Sequence, residues 1–296
     1  MATLRELKTR IGSVASSEKI TGAMKMISSA KVHKFEASLK QLVPYRNQIK
    51  SIMGHIMTSG ADFSSPLIEA RHEVRKVAFA VFGSDDGLCG AYNINIFKAA
   101  LSDLKGLRDK YGDNISIDIY PIGQKIAKAA AKIAGGNIKV IRTEGVDSKM
   151  DADKVNEFTH SLRDRFSSGE YDLVCVEYMK YHSMSKQRPT LEQLFPISAG
   201  QLLAEAGSDT GERMYIFEPD ANAIFNAVLP MFVLSTMQEI TIENRTSEQA
   251  ARVMAMQSAN DNAKKLQESL QLEYNKLRQE NITTELLDIL GGQVDR

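Results

Sequence analysis

Apolar side chains in the first sixty residues recur at helical spacing. Leu4, Leu7, Ile11 and Val14 step by 3, 4 and 3, Ile20, Met24 and Ile27 by 4 and 3, and Phe35, Leu39 and Leu42 by 4 and 3. The result is a narrow stripe of coiled-coil type, broken between segments. It predicts one long helix over about residues 2–58, which Pro44 is expected to kink or interrupt. Within it, Ile20, Ala23, Met24, Ile27, Ala30 and Lys31 project onto one face, expected to pack on another helix. Gly22, Met26, Ser29 and His33 fall on the other side.

The period then changes. KVAFAVFGS (residues 76–84) reads as a buried strand, ISIDIYPIG (115–123) as a strand alternating apolar and polar up to Pro121, and NIKVIR (137–142) and YDLVCVEYMKY (171–181) as two more. A further strand is expected near 190–195. Helical patterns at 94–110, 124–133 and 151–166 lie between them. Strands alternating with helices predict a Rossmann-like α/β domain on a largely parallel sheet, within residues 74–200.

Residues 197–213 are rich in Gly and Ser and read as a loop. A second long helix follows within residues 215–296, with Asp220 as candidate N-cap, Pro230 as a kink and Gly291-Gly292 as the stop. Leu266, Leu270, Tyr274 and Leu277 give it a stripe stepping by 4, 4 and 3. Two long helices with narrow stripes do not bury themselves alone. The economical arrangement is an antiparallel coiled coil of residues 1–58 and 215–296, with the α/β domain at one end.

Charge supports that pairing. The 296 residues carry no net charge, but residues 1–50 hold ten Lys/Arg against three Glu, and residues 212–296 hold eight against thirteen Asp/Glu. A basic helix beside an acidic one is complementary. A basic arm also raises nucleic-acid binding, but it has no aromatic residue before Phe35, and its apolar stripe needs a protein partner. No run of about 18 apolar residues suggests a membrane span, no signal-peptide pattern opens the chain, and Glu6 and Glu18 argue against a transit peptide. Cys89 and Cys175 read as buried thiols of a reducing compartment, and the five histidines are scattered, so no metal or cofactor is expected.

FGSDDGLCGAYNINIFK (residues 82–98) follows a strand and opens a helix, where phosphate loops occur. Its glycines match neither a dinucleotide nor a Walker spacing, and Asp85 and Asp86 would repel phosphate. YHSMSKQRPT (181–190) reads as an exposed loop between two strands. An α/β enzyme with a helical dimerisation arm remains an alternative on the strand–turn–helix alone.

RIGSVASSEKITGAMKMISSAK (10–31), SDDGLCGAYNINIFK (84–98), SEQAARVMAMQSANDNA (247–263) and ITTELLDILGG (282–292) together resemble, in order and over nearly the whole chain, the gamma subunits of F-type ATP synthases. Asp86, Asn260 and Gln293 depart from the usual Arg, Thr and Ala of those motifs. The resemblance implies a rotor without a catalytic site of its own. It would thread a ring of alternating alpha and beta subunits and stand with the epsilon subunit on the membrane ring of c subunits. That places it at the cytoplasmic face of a bacterial inner membrane, where it couples proton-driven rotation to ATP synthesis and hydrolysis. Carried over by position, the coupling contacts are Met24, Lys25, Arg252, Gln279, Thr283 and Glu285. The apolar shaft tip is Leu4, Leu7, Leu286 and Leu290, and the foot turn includes Gly87, Leu88, Gly90, Asn93 and Asn95.

Overall fold

A computed structural model describes residues 3–59, 62–198, 200, 202 and 217–294, without the side chains of Asp288 and residues 291–294. The loop expected at 197–213 therefore lies mostly outside the described residues. The chain forms two compact units, one from residues 1–29 with 252–296 and one from residues 30–251.

Two helices contribute to both. Helix α1 runs Leu4–Thr58 and continues through Pro44, and the C-terminal helix, α5, runs Ala221–Val294 through Pro230. The expected break at Pro44 is absent, because a proline costs one backbone donor and the flanking turns hold the remaining bonds. Nor do Gly291 and Gly292 stop α5, which continues to Val294. Asp220 caps its start as expected, accepting the Ala223 N–H at 2.8 Å.

In the second unit the remaining elements are β1 (Lys76–Phe82), α2 (Tyr92–Tyr111), β2 (Ser116–Ile122), α3 (Gln124–Ala130), β3 (Ile138–Val140), α4 (Ala152–Ser167), β4 (Leu173–Ser183) and β5 (Lys186–Phe195). The sheet order is β3-β2-β1-β4-β5, with β1 to β4 parallel and β5 antiparallel to β4. The segment read as a loop at 181–190 is a tight hairpin, in which β4 and β5 pair as far as Ser183 and Lys186. Strand β2 is buried on both faces from Ile117 onward, not alternately exposed. Its Asp118 is tolerated because the Tyr171 hydroxyl donates to it at 2.9 Å and the Lys76 ammonium lies 3.2 Å away.

One sheet face packs Ala78, Ala80, Phe82, Val174 and Val176 against α4, α1 and α5, through residues such as Phe158, Phe166, Met53, Phe225 and Val233. The other packs Val77, Phe79, Ile117, Ile119 and Cys175 against α2 and α3, through Ile96, Leu104 and Ile126. Both cysteines are buried and free. Within this unit Arg46 of α1 and Glu239 of α5 form an ion pair at 2.5 Å. Contrary to the sequence expectation, α5 does contain a stretch long and apolar enough to cross a membrane, but half of that stretch is buried. Phe225, Leu229, Val233 and Met237 of α5 belong to the protein core, which accounts for apolarity there.

In the first unit α1 and α5 pair antiparallel: Gly22 faces Asn260, and Glu18 reaches both Asn260 and Lys264. On α5 the buried and half-buried residues include a stripe of Val253, Met256, Asn260, Ala263, Gln267, Leu270, Tyr274 and Leu277, alternating steps of 3 and 4. On α1 the corresponding stripe is Leu7, Ile11, Val14, Glu18, Thr21, Lys25 and Ser28. This corrects two expectations. Ile20, Ile27 and Leu266 are 60%, 57% and 47% exposed, so apolarity misassigned the seam. Gly22 faces inward, and the heptad phase passes through polar residues that a hydrophobicity reading skips.

Candidate functional site

The strand-to-helix turn after β1 is held by side chains from its own ends. Gly83 is required there: a Cβ would stand 2.0 Å from Cγ1 of Ile126 on α3. Asn93, in the first turn of α2, accepts the Ser84 N–H at 3.1 Å and donates to the Ser84 hydroxyl at 2.7 Å. That hydroxyl donates to the Asp86 carbonyl at 2.8 Å. Leu88 takes φ +62°, the left-handed region that costs a non-glycine residue about 1–2 kcal/mol, and Gly90 follows at +59°. Leu88 is 61% exposed in that conformation. Gly87 is half-buried, Gly90 and Asn95 are exposed, and Ile94 beside them is exposed too.

Asp85 decides what the turn cannot do. Its carboxylate accepts the Gln124 N–H at 2.9 Å, at the start of α3, and the N–H and hydroxyl of Ser148 at 3.2 and 2.7 Å. A cavity of about 350 Å³ opens there, lined by Asp85, Gly123, Gln124, Arg142 and Thr143. The carboxylate already sits where a phosphate would use those donors, and like charge opposes one. Asp86 pairs with Lys149 at 2.9 Å, and this contact holds the Lys149 ammonium above its usual pKa. Among the described residues no three His, Cys, Asp or Glu side chains form a metal group.

A residue that sequence reading missed ties α5 to the sheet. Asn244 is buried and accepts the Tyr92 hydroxyl at 2.6 Å and the Met179 N–H at 3.3 Å, while donating to the Gly83 carbonyl at 3.3 Å. Beside it Arg245 donates to the backbone carbonyls of Ser148 and Met150. The only sequence signal was polar residues within a segment that buries nearly every position.

In the first unit the expected contact residues fall into two groups. Met24 and Lys25 are half-buried and Arg252 is buried. Gln279, Thr283 and Glu285 are exposed and lie 27 to 33 residues, about 40–50 Å, further along α5 than Arg252. The Thr283 hydroxyl donates back to the Gln279 carbonyl at 2.8 Å. At the spacing set by Gly22 and Asn260, Leu4 lies level with about residue 278 of α5. Leu7 is wholly buried and Leu4 half-buried. Beyond that level no helix among the described residues pairs with α5, and Ile282, Leu286, Leu287, Ile289 and Leu290 are 46–63% exposed. Five large apolar side chains within nine residues form an exposed apolar surface.

A helix pair with an exposed apolar end, joined in one chain to an α/β unit, is the architecture of a stalk-type subunit. Residues 3–294 match the family model described as ATP synthase. The ATP synthase gamma chain of Parabacteroides distasonis is 38% identical over 293 residues, covering 99% of this chain and 98% of that one. That of Bacteroides thetaiotaomicron is 35% identical over 302 residues, covering 99% and 100%. In fold, a chain of the Euglena gracilis mitochondrial ATP synthase, solved with OSCP, F1 and c-ring, aligns with a TM-score of 0.60 at 18% identity, covering 98% of this chain and 93% of that one. The chain belongs to the gamma chains of the F-type ATP synthase, rotor subunits of the central stalk.

Proposed function

We propose that the chain works as a rotor without a catalytic site of its own. In this reading the α1–α5 pair turns inside a ring of alternating alpha and beta subunits. The α/β unit stands with the epsilon subunit on the c-subunit membrane ring, at the cytoplasmic face of a bacterial inner membrane. The observation that carries the reading is the apolar end of α5, where Leu286 and Leu290 are 55% and 60% exposed. An apolar collar of surrounding subunits would cover it.

Coupling follows from unequal contacts. A shaft whose sides differ stabilises a different conformation of each catalytic site, so rotation changes site affinities and ATP hydrolysis drives rotation in reverse. Met24, Lys25 and Arg252 form one contact group in this scheme, and Gln279, Thr283 and Glu285 the other. The turn at Gly87–Asn95 presents Leu88 and Ile94 to the foot's partners.

Reconstitution tests the reading. Alpha and beta subunits should need this chain for stable assembly and normal ATP hydrolysis, and full assembly and turnover without it would sink the idea. Met24→Lys should lower the protons pumped per ATP hydrolysed while the chain still folds. An unchanged ratio would contradict the contact assigned to Met24.

A further inference from the structure

We infer that Asn260 is the register lock of the α1–α5 pair, and that Gly22 is the opening through which it works. Asn260 is only 8% exposed and occupies a seam position of α5. Its amide nitrogen donates to the backbone carbonyl of Glu18 at 2.7 Å, to the Glu18 carboxylate at 3.3 Å and to the Thr21 hydroxyl at 3.4 Å. The 2.7 Å bond is the unusual one. A carbonyl inside a helix is normally screened by the side chain four residues on. Here that residue is Gly22, and a Cβ placed on it would already lie 3.4 Å from the Asn260 nitrogen.

The surrounding seam carries little register information. Next to Asn260, Thr21, Lys25, Ser28, Ala263 and Gln267 bury no large apolar knob, and the larger seam residues Met256 and Leu270 lie to either side. A slip would set Asn260 against Ile11 and Ala15 or against Lys25 and Ser29. The first leaves the buried amide facing apolar side chains, and the second turns a donor toward a cation. Either way an unpaired polar group stays in the seam. Lys264, 3.9 Å from the Glu18 carboxylate, reinforces the same alignment at the seam's edge. A single polar residue that fixes register at some cost in stability is the best-attested role for asparagine in a coiled coil.

Register matters mechanically because one heptad is about 10 Å of helix. A slip of that size would offset Met24 and Lys25 against Arg252. Only this consequence rests on the rotary reading; the lock itself does not.

Pulsed electron–electron resonance on the full chain tests the lock, with nitroxide labels at the exposed positions Ser17 and Glu280, well offset along the pair, and with Cys89 and Cys175 replaced by Ala. The parent should give one distance. Asn260→Leu should add a second population, a tenth of the molecules or more, displaced by about a heptad's rise, with no loss of helix signal or melting temperature. Gly22→Val, which keeps the amide but blocks the carbonyl, should do the same. A single unchanged distance in Gly22→Val, or in a folded Asn260→Leu, would overturn the lock. Proton-to-ATP ratio in the assembled complex is a separate readout. Two distances with normal coupling would keep the lock and remove its assigned role in rotation.

Discussion

The side chain of Asn244 on α5 accepts a 2.6 Å hydrogen bond from the hydroxyl of Tyr92 on α2, with both groups buried. The same oxygen takes the Met179 N–H of β4, and the amide nitrogen donates to the Gly83 carbonyl just after β1. One side chain thus fastens the long helix to three elements of the α/β unit. Tyr92→Phe should cost about 1 kcal/mol, because Asn244 keeps its other bonds. Asn244→Leu should cost about 3 kcal/mol or more, since a hydroxyl, an N–H and a carbonyl lose a buried partner together. Urea unfolding of the full chain measures both, and equal losses would contradict the hub.

Gly83→Ala should destabilise by about 3 kcal/mol, because the added methyl group meets Ile126 at 2.0 Å and neither the strand end nor α3 can retreat freely. Combining it with Ile126→Ala should recover part of that loss. Additive penalties in the double variant would show that the clash is not with Ile126.

Two buried acids give the unit a pH dependence. Burial, then the neighbouring Asp103 carboxyl, pushes Glu177 up to about 9. Burial pushes Glu243 up to about 7, opposed by Lys180 and assisted by Glu239 and Glu192. Both hold their protons more tightly when folded than at the ordinary value of 4.5. Their stabilisation is therefore complete below that value. It is lost as pH rises, through about 7 for Glu243 and about 9 for Glu177. Glu177→Gln should remove a decline of about 3 kcal/mol between pH 7 and 9. Parallel stability curves for the two proteins across that window would refute the assignment.

Leu286→Asp with Leu290→Asp should leave the chain's melting temperature within about 1 °C, because neither side chain is buried by the chain itself. Capture of alpha and beta subunits should fall at least tenfold. Undiminished capture would place the contact elsewhere.

Much of the architecture was legible in the order of residues. Period-two and continuous apolar runs located the strands because a sheet buried on both faces admits little else. The helical blocks and the Asp220 cap were equally readable, since spacing and local hydrogen bonding fix them without distant contacts. The apolar tip of α5 at Leu286 and Leu290 entered only through the resemblance to the family. The seam of the helix pair was not. Ile20 and Ile27 were expected to define it, yet they are exposed, and the half-buried or buried positions are Glu18, Thr21, Lys25 and Ser28. Hydrophobicity assigns a face only where burial is driven by apolar area, and here a hydrogen bond through the opening at Gly22 sets the approach.

The sequence by itself determined the elements, the α/β layering and the family, all of which depend on local spacing or on motifs met in order. Only the tertiary structure decided that Asp85 fills the position a phosphate would need, that Asn244 joins α5 to the sheet, and that Gly22 faces inward. Each of those depends on a partner between 39 and 238 residues away, and no local pattern encodes which distant group will complete a buried hydrogen bond.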